Sequence, residues 1–77
     1  MDRRAEVQRL NAADHHIGTA ERLIAEQRLR IAYLGADNPV GTDAERLLRT
    51  MQQTLTVLRE HRQLIVATIE QIDAGLA

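Results

Sequence analysis

The chain has 77 residues, a formal net charge of -1, no cysteine and a single aromatic residue, Tyr33. That length allows one small domain with a large surface for its volume, and without cysteine neither disulfides nor a thiolate metal site can brace it. The near-neutral charge speaks against a general polyanion binder, and one aromatic supplies no stacking platform for single-stranded nucleic acid.

No apolar run approaches the ~20 residues that span a bilayer. The opening stretch MDRRAEVQRL lacks the apolar core of a signal peptide. A cytoplasmic location is therefore expected. All ten basic residues are arginine. A GC-rich genome explains that bias. A functional reason, bidentate phosphate recognition, would need the arginines clustered, and they are spread over both halves of the chain.

The first predicted element is a helix over residues 2–34. Leu10, Ile17, Ile24 and Ile31 recur every seven residues, with Ala13, Ala20, Gln27 and Leu34 three places after them. This is a heptad seam with mostly β-branched residues at a and small residues at d. The small d residues let a neighbouring helix approach closely. Gln27 is the polar exception; it is either a register-setting contact or an edge residue in water, and the edge is preferred. Gly18 costs about 1 kcal/mol relative to alanine and is expected to mark close helix approach or a slight bend. Asp2 is the expected cap, with Asp14 the alternative. About 32 residues at 1.5 Å each give a rod of roughly 48 Å.

Residues 35–42 break the pattern. Gly35 follows Leu34 where a left-handed cap belongs. Asp37, Asn38 and Gly41 are turn formers, and Pro39 keeps Asn38 out of the αR region. Thr42-Asp43-Ala44-Glu45 reads as a capping box that opens a second helix.

The second helix is predicted over residues 43–73. Ala44, Met51, Leu58, Ile65 and Ile72 recur every seven residues, and Leu48, Leu55, Ile69 and Leu76 each follow a member by four. Leu47 falls at a d position whose other occupants, Thr54, His61 and Thr68, are polar. Val57 and Leu64 widen the stripe to about half the helix, more than one partner helix covers. Gly75 is the expected cap, with fraying after Asp73.

Together the elements predict an all-α, two-helix antiparallel hairpin in one domain over residues 1–77. Facing residues have numbers that sum to about 78. The expected core and dimer interface takes Leu10, Ile17, Ile24 and Ile31 from the first helix. The second helix gives Leu48, Met51, Leu55, Leu58, Ile65, Ile69 and Ile72. Two helices alone leave apolar surface in water. A second copy about a two-fold axis would cover it and make a homodimeric four-helix bundle. That is the plan of the plasmid copy-number protein Rop, with which the chain shares size and layout but no residue motif.

Residues 16–27, HIGTAERLIAEQ, followed by Thr42–Leu48, TDAERLL, and by the stretch from Thr54 to His61-Arg62 carry a closer likeness. They resemble a family of small uncharacterised bacterial proteins, common in alphaproteobacteria, that read HI-x-x-AER-x-IA-x-Q, a short Gly/Asp-rich break, TA-x-x-LL and L-x-x-HR. The resemblance covers about residues 14–65. It implies a helical hairpin and a bacterial cytoplasmic origin, and it implies no activity.

Three imidazoles invite a site. The pairing rule puts His16 and His61 in one layer, near His15, and a two-fold dimer would double that pair to a zinc- or nickel-sized donor set. The bland reading is a polar layer in which His61 and Arg62 bond to Glu21 or Gln63 and to solvent; a pH-sensitive interface is a third. No HExxH or Glu-x-x-His pattern is present, which sets aside the di-iron carboxylate class. Arg3 or Arg4 with Arg9, Arg59 and Arg62 would form a basic end for duplex RNA, but Glu6, Glu60 and Glu70 interleave with them and a solvated charged face is preferred. The sequence has no serine or cysteine nucleophile, and no catalytic residue, metal or cofactor is expected. The favoured function is a non-enzymatic protein-interaction or adaptor module. A Rop-like RNA- or DNA-binding regulator is the alternative, and a histidine metal-binding bundle is third.

Overall fold

Asp2 starts the molecule's first helix by local chemistry. Its side chain accepts a hydrogen bond from the Arg4 amide at 2.9 Å, and its own carbonyl accepts from the Glu6 amide at 3.2 Å. A short acceptor at the N-cap satisfies a donor that has no partner inside the helix. The computed structural model describes residues 2–35 and 39–75. In it α1 runs over Arg3–Leu34 and α2 over Pro39–Asp73, with no strand among the described residues. The fold is the all-α helical hairpin that the heptad spacing predicts.

Helix α1 ends where expected. Gly35 takes φ 76°, ψ 152°, and its amide donates to the Ile31 carbonyl at 2.9 Å. A side chain is rarely tolerated at that positive φ, so glycine is the residue that stops the helix here. Gly75, at φ 75°, closes α2 in the same sense, with its amide on the Ile72 carbonyl at 3.0 Å.

Helix α2 begins four residues earlier than the sequence predicts. Pro39 is its first residue, so the break is shorter than 35–42 and Thr42 lies inside the helix instead of opening it. The physical reason is that a first-turn amide has no intrahelical acceptor. Proline loses nothing there, and its fixed φ suits the helix. Gly41 is buried and lies on the heptad stripe of Leu48 and Leu55. The turn roles read for Asp37 and Asn38, and the place of Leu76, fall outside the described residues.

The helices are antiparallel. Three ion pairs cross between them: Arg3–Asp73, Asp14–Arg62 and Glu21–Arg59. Each lies within two of the expected sum of about 78. The resulting rod measures 56 × 15 × 12 Å. Its radius of gyration is 17.3 Å, where a compact domain of this length has about 11.5 Å.

The core is a single seam. Ala13, Ile24, Ala44, Leu55 and Ile65 are its buried apolar residues. Leu10, Ile17, Ile31, Leu48, Met51, Leu58, Ile69 and Ile72 are half-buried beside it. Among the described residues no side chain falls below 2 % exposure. Leu48 turns inward and Leu47 outward.

Gly18 does not mark a close approach. A Cβ built there meets nothing within 4 Å, and the residue is exposed. Its cost is therefore only the conformational freedom it loses. Gly18→Ala is expected to stabilise the fold by about 0.5–1 kcal/mol. Thermal unfolding followed by circular dichroism should rise by several degrees, on a scale of about 4–8 °C per kcal/mol for a domain this size. An unchanged or lower midpoint would reinstate a packing role.

Candidate functional site

The two long edges of the hairpin differ in chemistry. One edge is charged. Arg3 Nε donates to Asp73 Oδ1 at 2.7 Å and Arg3 Nη2 to Asp73 Oδ2 at 3.4 Å. Arg62 Nε donates to Asp14 Oδ1. Arg59 Nη2 sits 3.8 Å from Glu21 Oε2. All three pairs are solvent-exposed and add little to stability. They do fix which residues meet.

The Arg3–Asp73 pair also explains how α2 tolerates an acidic end. Asp73 closes a helix that has no basic residue in its own last turn, where the helix dipole disfavours negative charge. Arg3 of α1 supplies the missing cation. Its hydrogen bonds, opposed in part by burial and reinforced by its charge, hold the Asp73 carboxyl below the ordinary carboxylate value. The same bonds, then the Asp73 charge, raise the Arg3 guanidinium further.

The opposite edge is almost without charge. Three adjoining hollows run along it. The first, about 150 Å³, is lined by Arg9, Ala12, Ala13, His16, Leu58 and His61. The next is lined by His15, His16, Thr19, Ala20, Leu23 and Leu58. The third, also about 150 Å³, is lined by Ala20, Leu23, Thr50, Met51 and Thr54. Arg9 is the one permanently charged residue in these linings. Leu23 is 43 % exposed here and Leu47, further along the same side of α2, 49 %.

His16 and His61 thus line one hollow, as the pairing rule places them. Both are exposed, and the His15 ring lies beside that of His16, tilted by 58° with centroids 6.1 Å apart. Among the described residues no group of three or more His, Cys, Asp or Glu is placed to hold a metal ion. The polar layer read around Arg62 has other members than expected. Arg62 takes Asp14, and Glu21 goes to Arg59. Asp14 is therefore an ion-pair partner and not a helix cap.

Of the basic end read from Arg3 or Arg4 with Arg9, Arg59 and Arg62, four arginines sit against a carboxylate: Arg3, Arg59 and Arg62 across the hairpin and Arg9 against Glu6 on its own helix. No protein-family model, curated protein or solved structure matches the chain. No described helix is long and apolar enough to cross a membrane.

One polar residue was misplaced by the sequence pattern. Gln27 is not at a wet edge; it is 3 % exposed, inside the seam. Its Nε2 donates to the Ala44 carbonyl at 2.9 Å, and its Oε1 accepts from Arg30 Nη1 at 2.9 Å. It ties α1 to the start of α2.

Proposed function

We propose that the chain is a non-enzymatic cytoplasmic assembly module that works as a homodimer. Two hairpins complete one another's cores as a four-helix bundle, and the outer faces are left to engage a partner protein. The supporting observation is the unfinished core. The hairpin exposes 5686 Å². A folded monomer of 8.7 kDa ordinarily exposes about 4,700 Å². The excess, roughly 950 Å², is close to the ~800 Å² that each partner gives to a standard protein interface. The absence of any fully buried side chain among the described residues points the same way. A seam of this width has little besides an edge to bury next.

The test is solution mass by light scattering behind size exclusion, across micromolar concentrations. A stable mass near twice 8.7 kDa is the expected result. A monomer at every concentration would overturn the homodimer.

A further inference from the structure

We propose that the second copy docks on the uncharged edge, with both loops at the same end of the bundle. This rests on the homodimer proposed above and fixes which face and which direction that dimer uses.

Area and charge together select the face. The docked edge must cover roughly 800 Å² per partner without desolvating unpaired charges, which is costly. The ion-paired edge would bury the six charged groups of its three interhelix pairs. The opposite edge would bury Leu23, Met51 and Leu58, with one arginine at each end of its α1 stripe, Arg9 and Arg30. Its small α1 residues, Ala13 and Ala20, leave room for helices to come close. Met51 and Leu58 belong to the central heptad stripe of α2 and are only half-buried in the hairpin. In a bundle that stripe points at the common axis.

Charge also selects the direction. Arg9, His16, Leu23 and Arg30 form the stripe of α1 that meets the second copy. Two antiparallel arrangements exist. With the loops at opposite ends, α1 packs on α1 of the second copy. Residues near the middle of α1 then pair across the axis, and Arg9 of each copy comes level with Arg28 to Arg30 of the other. Like charges would meet twice, which disfavours that pairing. With the loops at the same end, α1 packs on α2 of the second copy, and the sum of about 78 that governs the hairpin governs the interface too. Arg9 then meets Thr68, Leu23 meets Thr54, and Arg30 meets Leu47 or Leu48. Arg9 is thereby kept away from Arg30 of the other copy, and Arg46, which flanks Leu47, is already paired with Asp43.

The natural chain has no cysteine, so cross-links report cleanly. Full-length Leu23→Cys chains are mixed with Thr54→Cys chains, oxidised under native conditions and read by intact mass. The expected product is the mixed 23–54 disulfide dimer. A Leu23→Cys with His16→Cys mixture should give no comparable product. The reverse outcome, 23–16 dimers without 23–54 dimers, would overturn the direction. The face is tested separately by the mass of Leu23→Glu. That variant should shift to monomer at concentrations where the natural chain is dimeric, whereas Leu29→Glu, on the outer side of α1, should stay dimeric. A Leu23→Glu dimer as stable as the natural one would sink the docking edge while leaving the homodimer standing. A monomeric natural chain would instead remove the homodimer itself.

Discussion

Ile65→Ala is expected to remove a large share of the chain's stability, about 2–5 kcal/mol. Ile24→Ala should do nearly the same, and Leu55→Ala slightly less. The three residues are 5 %, 5 % and 9 % exposed, and with Ala13 and Ala44 they make up the buried apolar core among the described residues. Cutting a buried Ile or Leu to Ala costs about 2–5 kcal/mol, because the site loses transfer free energy and keeps a cavity. A 77-residue domain has about 4–12 kcal/mol of stability in total. One truncation therefore removes a large share of it. The core is a single layer between two helices, so no second layer can collapse into the gap. Leu29→Ala is the control: that side chain is 71 % exposed, and its loss should stay within about 0.5 kcal/mol. Urea unfolding by circular dichroism decides the matter. An Ile65→Ala midpoint equal to that of the natural chain would mean the stability lies elsewhere.

The same residues show how far the sequence could be read. Ile24, Leu55 and Ile65 stand out because seven-residue spacing on two segments can be satisfied only by a helix that buries that stripe. The hairpin follows from Gly35, whose positive φ no neighbouring residue type would tolerate comfortably. The pairing rule holds to within two residues because two antiparallel helices share one rise per residue. Pro39 is ambiguous in sequence because the same residue that ends a helix also begins one well. Which of the two applies depends on an amide acceptor that spacing does not encode. Gly18 is equally ambiguous, because a glycine in a helix looks alike in sequence whether or not a neighbour presses on it. The uncharged edge was legible only in part. Thr54, His61 and Thr68 looked like polar interruptions of the α2 seam. Beside Leu23, Leu47 and Met51 they read instead as an uncharged side of the rod, and that needs both helices placed against each other. The ion pairs complete the contrast. Asp14 with Arg62 and Glu21 with Arg59 gather charge on one edge.

Gln27 carries the other large expected effect, and it turns on a partner that pattern cannot supply. Its acceptor is a backbone carbonyl, that of Ala44, so no side-chain pairing rule would find it. A buried amide with both ends satisfied sits comfortably in an apolar seam; the cost comes when one end is left without a partner. Three substitutions separate the contributions. Gln27→Leu keeps the volume and removes the polar bond, so its cost should stay within about 1 kcal/mol. Gln27→Ala removes the bond and leaves a cavity, for about 2 kcal/mol. Gln27→Glu keeps the shape but sets a carboxylate against the Ala44 carbonyl in a buried site; only Arg30 is at hand to offset it, so this change should cost most. The expected order of stability is natural chain, Leu, Ala, Glu. A Gln27→Glu protein as stable as the Leu variant would show that the side chain can swing out to water. The Leu variant bears on specificity as well as stability. Without the bond to Ala44, sliding one helix past the other loses no polar contact, as with polar residues that set register in coiled coils. Amide hydrogen exchange around Ala44 and Leu48 should then quicken more than the small stability loss accounts for. Exchange that slows or stays level there would mean that apolar packing alone holds the register.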